Sequence, residues 1–176
     1  MDVIRSERPD DGATISDLVV RAYADVAYSD HREHLMIARL RGTAAYDPAL
    51  SLLAEIGGEA VGHILLTKAH ILTARSPVET LALAPLSVVP EHRSRGVGKR
   101  LVRAARRRAI DLGFKSIVLV GIPSYYPQFG FEPLGRYPIT LPFNAPEENC
   151  MILPITLRAL DGVAGVVQYA DGWLDH

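Results

Sequence analysis

The stretch Leu86–Leu101, LSVVPEHRSRGVGKRL, restricts what this chain can fold into more than any other. The apolar, β-branched run from Leu86 to Val89 reads as the end of a strand and stops at Pro90. A charged turn follows, then Gly96-Val97-Gly98, then helical spacing to about Asp111. Strand, glycine turn and helix in that order aim several backbone N–H groups and the positive end of a helix dipole at one point. Such a point binds phosphate.

The helix is amphipathic: Val97, Leu101, Ala104, Ala105 and Ala109 form an inner stripe, with Arg100, Arg103, Arg107 and Arg108 mostly outside it. Gly113 is placed to end it, and Lys115–Gly121 (KSIVLVG) reads as a buried strand, which makes a βαβ unit with a parallel pair. Upstream, Asp2–Arg5 reads as a strand, and Pro9, Asp10 and Asp11 open a helix that buries Ile15, Leu18, Val19, Ala22 and Val26. A second helix covers Arg32–Arg41. Leu50–Ile56 and Ala60–Thr67, joined by Gly57-Gly58-Glu59, form a hairpin whose second strand continues to about Leu72. A fourth strand, Thr80–Val89, contains Pro85, which donates no ladder hydrogen bond and predicts a bulge or a local separation. After Lys115–Gly121, Ser124 can cap a short helix through Tyr125, Tyr126 and Phe129. Pro138–Tyr169 should hold two or three antiparallel strands, with a polar excursion at 144–149.

The 176 residues, 48% hydrophobic and 22% charged, suit one globular domain, with a core over about 1–157 and an extension over 158–176. A net charge of -1 gives no global field for nucleic acid, and no apolar run approaches the ~18–20 residues that span a bilayer. The N-terminus, MDVIRSERPDD, lacks the apolar centre of a signal peptide. With Cys150 the sole cysteine and no HExxH pair, neither a disulfide nor a metal site is expected, and a cytoplasmic setting is.

Three phosphate-binding readings fit the glycine turn to different degrees. A nucleoside-triphosphate loop fails at Arg93, where its first glycine belongs, and at Arg100, where a hydroxyl belongs. A dinucleotide fingerprint fails at Leu101, where its third glycine belongs. The third reading matches residue by residue: Arg93-Ser94-Arg95-Gly96-Val97-Gly98 resembles the [QR]-x-x-G-x-[GA] signature of GNAT-type acyltransferases. The element order over Met1 to about Leu157 is similar to that family as well. Tyr126-Pro127-Gln128-Phe129-Gly130-Phe131 resembles its Tyr-x-x-x-Gly-Phe segment. The runs LAPLSVVPEHRSRGVG, LVGIPSYYPQFGF and GVAGVVQY look like its YhbS-like subgroup.

The resemblance implies an α/β (α+β) fold with a mixed, mostly antiparallel sheet, flanking helices, and splayed fourth and fifth strands. It implies transfer of an acetyl group from acetyl-CoA to an amine by direct attack on the thioester, with no metal. Donor contacts would come from Leu86, Ser87 and Val88 along the pantetheine, from Arg93, Ser94, Arg95, Gly96, Val97, Gly98 and Lys99 at the pyrophosphate, and from Ser124. The Val88 N–H would face the developing oxyanion, and Tyr126, or else the adjacent Tyr125, would protonate the leaving thiolate. Glu79, His63, Asp30 and His31 are open candidates for the base. The acceptor side would be built from 28–31 and 143–149, with Glu147 and Glu148 able to attract a cation. The implied partner is a small-molecule or peptide amine, with the protein a monomer or homodimer and neither nucleic acid nor membrane involved. A non-catalytic acyl-CoA sensor and a nucleic-acid binder using the arginine-rich helix are the competing functional readings.

Overall fold

The computed structural model describes residues 2–174. The elements are β1 (Asp2–Ser6), α1 (Gly12–Tyr23), α2 (Glu33–Arg41), β2 (Ser51–Ile56), β3 (Glu59–Leu72), β4 (Pro77–Val88), α3 (Val97–Asp111), β5 (Ser116–Val120), β6 (Glu132–Pro133), β7 (Ile139–Thr140), β8 (Cys150–Pro154) and β9 (Gly165–Gln168). One mixed, mostly antiparallel sheet carries them in the order β1-β2-β3-β4-β5-β8-β6, with β9 pairing to β3 and β7. The β2–β3 hairpin turns through Gly57 and Gly58, both at positive φ, as a tight turn between right-twisted strands requires.

The antiparallel half is continuous, whereas the parallel junction is brief. β3 pairs with β4 from Gly62↔Val88 to Leu72↔Pro77. β4 pairs with β5 only at Leu81↔Ile117 and Ala82↔Val118. β5 is held instead by β8, through five residue pairs from Ser116↔Pro154 to Val120↔Cys150. The expected disturbance at Pro85 is present: the register passes from Ile64↔Leu86 to Leu66↔Leu83, so Ala84 and Pro85 together oppose Leu65. Beyond that bulge no strand among the described residues pairs with β4 on its β5 side.

α3 lies on one face of this junction and α1 on the other. Buried Val97, Leu101, Val102, Ala105 and Ala109 seat α3; Val102 takes the place expected of Ala104, which is only partly covered. Arg108, expected outside, turns inward and donates to Ser6 Oγ at 2.6 Å and Ala49 O at 3.1 Å. A Cβ on Gly62 would stand 2.9 Å from both Leu101 Cδ1 and Val97 Cγ1, so the missing side chain is what lets α3 approach β3. Gly113, at φ +85, follows the end of α3 as expected.

Several expectations change in detail. α1 ends at Tyr23, so Val26 is not a core residue of that helix. Asp11 stands at the start of α1, but its side chain makes no capping bond. Its carboxylate accepts from Arg8 N and from two nitrogens of Arg5, which also pairs with Glu55. That guanidinium holds the Asp11 carboxyl below its ordinary value. The short helix after β5 is a single 3₁₀ turn, Tyr126–Phe129. Of the late strands, β8 and β9 are antiparallel to β5 and β3, but β7 and β9 run parallel. The segment after residue 158 adds β9 to the sheet, and its Leu160, Val163 and Val167 are buried.

Gly62→Ala should lower stability by about 1–3 kcal/mol, because the new methyl meets two core side chains and the Ser87 carbonyl. Urea unfolding of the two proteins measures the difference.

Candidate active site

The separation of β4 from β5 opens a cleft of about 1020 Å³ between α1, α2, the start of α3 and the turn after β5. Its floor is the free edge of β4. Val89 N donates to Val61 O across the β3 side. By strand alternation the N–H of Val88 and the carbonyl of Leu86 therefore face the other way, toward the gap. Tyr23 Oη donates to that Leu86 carbonyl at 2.9 Å, leaving the oxygen one further lone pair. Ser87 points to the opposite face from Leu86 and Val88. Ser87 also lines the cleft, with its hydroxyl buried on the Tyr23 side.

The glycine turn forms one end. Gly96 adopts φ +83, a left-handed conformation that a side chain would disfavour, and a Cβ there would meet nothing within 4 Å. The first intrahelical bond runs from Arg100 N to Gly96 O, so the N–H groups of Val97, Gly98 and Lys99 precede it and stay available. A Cβ on Gly98 would lie 2.8 Å from Tyr125 Oη and within 4 Å of Val88 and Leu86, so this glycine keeps the helix start open toward β4.

Of the expected donor contacts, Leu86, Ser87, Val88, Arg93, Ser94, Gly96, Val97, Gly98 and Lys99 line the cleft. Arg95 and Ser124 do not. Both are exposed, and Ser124 makes no capping bond to the 3₁₀ turn. Arg93 lines the cleft with an acidic partner already in place. Its guanidinium is held by Asp25 at 2.8 and 2.9 Å and donates to the Ala22 carbonyl, which ties the glycine turn to the end of α1. Its charge is largely matched locally, so Lys99 and the helix N-terminus provide the positive character.

The two tyrosines after β5 diverge. Tyr125 is half-buried and sends its hydroxyl to Gly98, beside the glycine turn. Tyr126 is buried and packs edge-on against Tyr125 and Phe131, with ring centroids 5.1 and 5.6 Å away. Its ring lies over Gly121, where a Cβ would come within 2.5 Å of Cε2. Gly121 N donates to Asn149 O at 2.9 Å, which fixes the backbone beneath the ring. Burial pushes the Tyr126 phenol well above its ordinary value, so it stays protonated and able to donate.

The base candidates separate as clearly. His63 is fully buried and outside the cleft lining. Its Nε2 meets Ser51 Oγ at 2.8 Å, and Ser51 in turn donates to Glu7. Burial, then the charge of Arg41, pushes its pKa down to about 3. Glu79 lines a second cavity, near residues 43–45 and 168–171. Asp30 and His31 do not line the cleft, nor do 143–148. Phe143 instead packs on Tyr169 at 5.6 Å. Tyr28 and Asn149 do line it, together with Glu33 and Met36 of α2, which sequence reasoning missed. No local pattern marks a helix-opening glutamate as a cleft residue. Among the described residues no cluster is suited to a metal, and no helix is long and apolar enough to cross a membrane.

Gly121→Ala should destabilise the protein by about 1–3 kcal/mol through displacement of the Tyr126 ring. In a double-mutant cycle with Tyr126→Ala, most of that loss should vanish, since only the Leu119 methyl at 3.2 Å then opposes the new one.

Comparison with known proteins agrees with this geometry. The acetyltransferase (GNAT) family model matches residues 14–131. The N-acetyltransferase YjhQ of Escherichia coli K12 is 37% identical over 131 residues, covering 74% of this chain and 72% of the relative. The N-acetyltransferase YhbS of the same organism is 25% identical over 168 residues, 95% of each. A crystal structure of a GNAT family acetyltransferase from Brucella melitensis, in complex with acetyl-CoA, superposes with a TM-score of 0.81 at 29% identity over 98% of both chains. That of YhbS from Escherichia coli gives 0.87 at 24% identity over 98% of this chain and 91% of that one. The glycine turn, the parted strands and the tyrosine beyond them thus have their explanation: this chain belongs to the GNAT acetyltransferase family.

Proposed function

We propose that this cleft holds acetyl-CoA with its pyrophosphate at 96–99 and its pantetheine along the free edge of β4, and passes the acetyl group to an amine entering past Tyr28. One observation carries the reading: β4 and β5 part after two paired residues, leaving backbone groups of β4 without a partner beside a helix N-terminus. An extended amide-containing chain supplies the partners that the missing strand does not. The Brucella melitensis relative, bound to acetyl-CoA, supports the choice of ligand. The residues present suit it: open space at the Gly96 Cβ position, free N–H groups at 97–99, and apolar walls from Leu86, Val88 and Val97.

The donor supplies an activated thioester, and the chain's own groups handle position and protons. Val88 N–H, fixed in the β3–β4 ladder, faces the gap where a thioester oxygen would gain negative charge. A preorganised donor of this kind is worth about 10²–10³ in rate. Tyr126 keeps its proton across the neutral range and offers it to the departing sulfur. Tyr125, whose hydroxyl lies by Gly98, serves the donor end instead. The acceptor is a small-molecule or peptide amine, reached from the side of α2. We place the enzyme in the cytoplasm, where the Cys150 thiol stays reduced.

Tyr126→Phe should lower kcat about 10²-fold or more, with the acetyl-CoA dissociation constant within twofold of wild type. Thiol release from acetyl-CoA over a panel of amines reads the first quantity and calorimetry the second. Full turnover in Tyr126→Phe on an amine that the wild type acetylates removes the tyrosine from the mechanism. Failure of acetyl-CoA to bind the wild type removes the donor assignment.

A further inference from the structure

The charges lining the cleft are segregated. Lys99 and the start of α3 lie at one end, and Arg93 there is already matched by Asp25. Glu33 is the one carboxylate in the lining among the described residues, and it lies on the side of α1 and α2. The loop before it is built to hold it. Ser29 Oγ donates to Glu33 Oε2 at 2.5 Å and accepts from His31 N at 2.9 Å. Asp30 Oδ1 accepts from Arg32 N at 2.9 Å, and His31 takes φ +60, a left-handed conformation uncommon outside glycine. One Glu33 oxygen is thereby fixed, while Oε1 has no partner among the described residues. The neighbouring walls are aromatic and apolar: Tyr28, exposed at the rim, Tyr23, and Met36 one turn along α2. Glu33 also acts at the right place. After burial, its negative field is the next cause that raises the Tyr23 phenol, and the Tyr23 hydroxyl bonds the Leu86 carbonyl, two residues from Val88.

We propose that Glu33 is the acceptor-side carboxylate of the cleft: it receives an alkylamine as its ammonium ion, with the alkyl chain against Tyr28 and Met36, and takes the proton that must leave before attack. This rests on the acetyl-transfer reading above. An alkylamine with a pKa of about 10.4 is neutral in roughly one molecule per few thousand at pH 7, so its ammonium needs a route for the proton, and a carboxylate beside the nitrogen both holds the cation and takes that proton as the N–C bond forms. The step balances. The ammonium gives one proton to Glu33, which releases it to solvent. The freed lone pair forms the N–C bond at the thioester carbonyl, and the C–S bond breaks with its pair going to sulfur. Sulfur takes the Tyr126 proton, and the second proton leaving nitrogen restores that phenol. The products are an amide, a free thiol and one released proton.

The test compares Glu33→Gln with wild type on butylamine, 1,4-diaminobutane and phenethylamine, and on aniline, which is uncharged at neutral pH. Glu33→Gln should lower kcat/KM for the alkylamines about 10²-fold at pH 7 and leave aniline within about threefold. The alkylamine deficit should shrink as pH rises toward the amine pKa, a change that a merely structural role does not produce. Acetyl-CoA affinity should be unchanged, which reports that the variant is folded. In parallel, calorimetry should show alkylamine binding to the wild-type complex with coenzyme A, weakened at least tenfold in Glu33→Gln. Equal losses on charged and neutral amines, no loss, or no Glu33-dependent alkylamine binding overturns the proposal. Glu33-dependent binding without any acetyl transfer overturns the transfer reading and leaves the cation site standing.

Discussion

Backbone hydrogen bonding is the constraint on which this molecule turns. A β-strand with a bare edge inside a domain leaves N–H and C=O groups unpaired, at about 1–3 kcal/mol for each one that is buried without a partner. β4 carries such an edge from the bulge at Pro85 to Val88. The fold tolerates it because neighbours on either side carry the load. β3 holds β4 along nearly its whole length, and β8 holds β5 through five pairs. Tyr23 covers the Leu86 carbonyl from α1. The opening is therefore a local feature of a rigid sheet rather than a weakness in it.

The position of that opening was largely legible in the sequence. Proline in a strand interior has few structural solutions, and Pro85 took the expected one, two residues facing one across the ladder. Periodicity in α3 and the glycines at 57, 58, 96 and 113 likewise follow from local stereochemistry, which a sequence carries directly. What stayed hidden depends on groups far apart in the chain. Nothing in the spacing around Arg93 marks that Asp25, 68 positions away, pairs with it. Arg108 belongs to the polar face by spacing, yet Ser6 and the Ala49 carbonyl draw it inward. Ser124 sits in a capping pattern without capping anything, because the following turn is a short 3₁₀ segment that begins two residues later. Glu33 carries no signature at all, since its relevance comes from how two helices pack against a strand edge.

The polar interior follows a different logic from the cleft. Glu7, Ser51 and His63 form a buried chain under α1 and α2, joined by Arg41 at the end of α2. His63, one of the open base candidates from sequence, is there a fully buried hydrogen-bonding partner of Ser51. Full burial favours its neutral state by disfavouring the charged imidazolium, which pushes the pKa down. The chain links the residue after β1 to β2, β3 and α2, so it fixes the end of α2 opposite to Glu33.

The clamp made by Arg93 has a consequence for how such an enzyme can diversify. It grips α1 at Ala22 and Asp25, immediately before the segment 26–32 that leads into α2. The strand edge at 86–88 and the glycine turn at 96–99 lie on the gripped side of the cleft, and Tyr28, Glu33 and Met36 lie beyond it. Residues past the grip can change in size, charge and length while the glycine turn and the strand edge keep their spacing. One half of the cleft is thus anchored and the other hangs on a separate stretch of chain, so that on the proposed reading a single acyl-donor frame is open to refitting for new acceptors by altering one short segment.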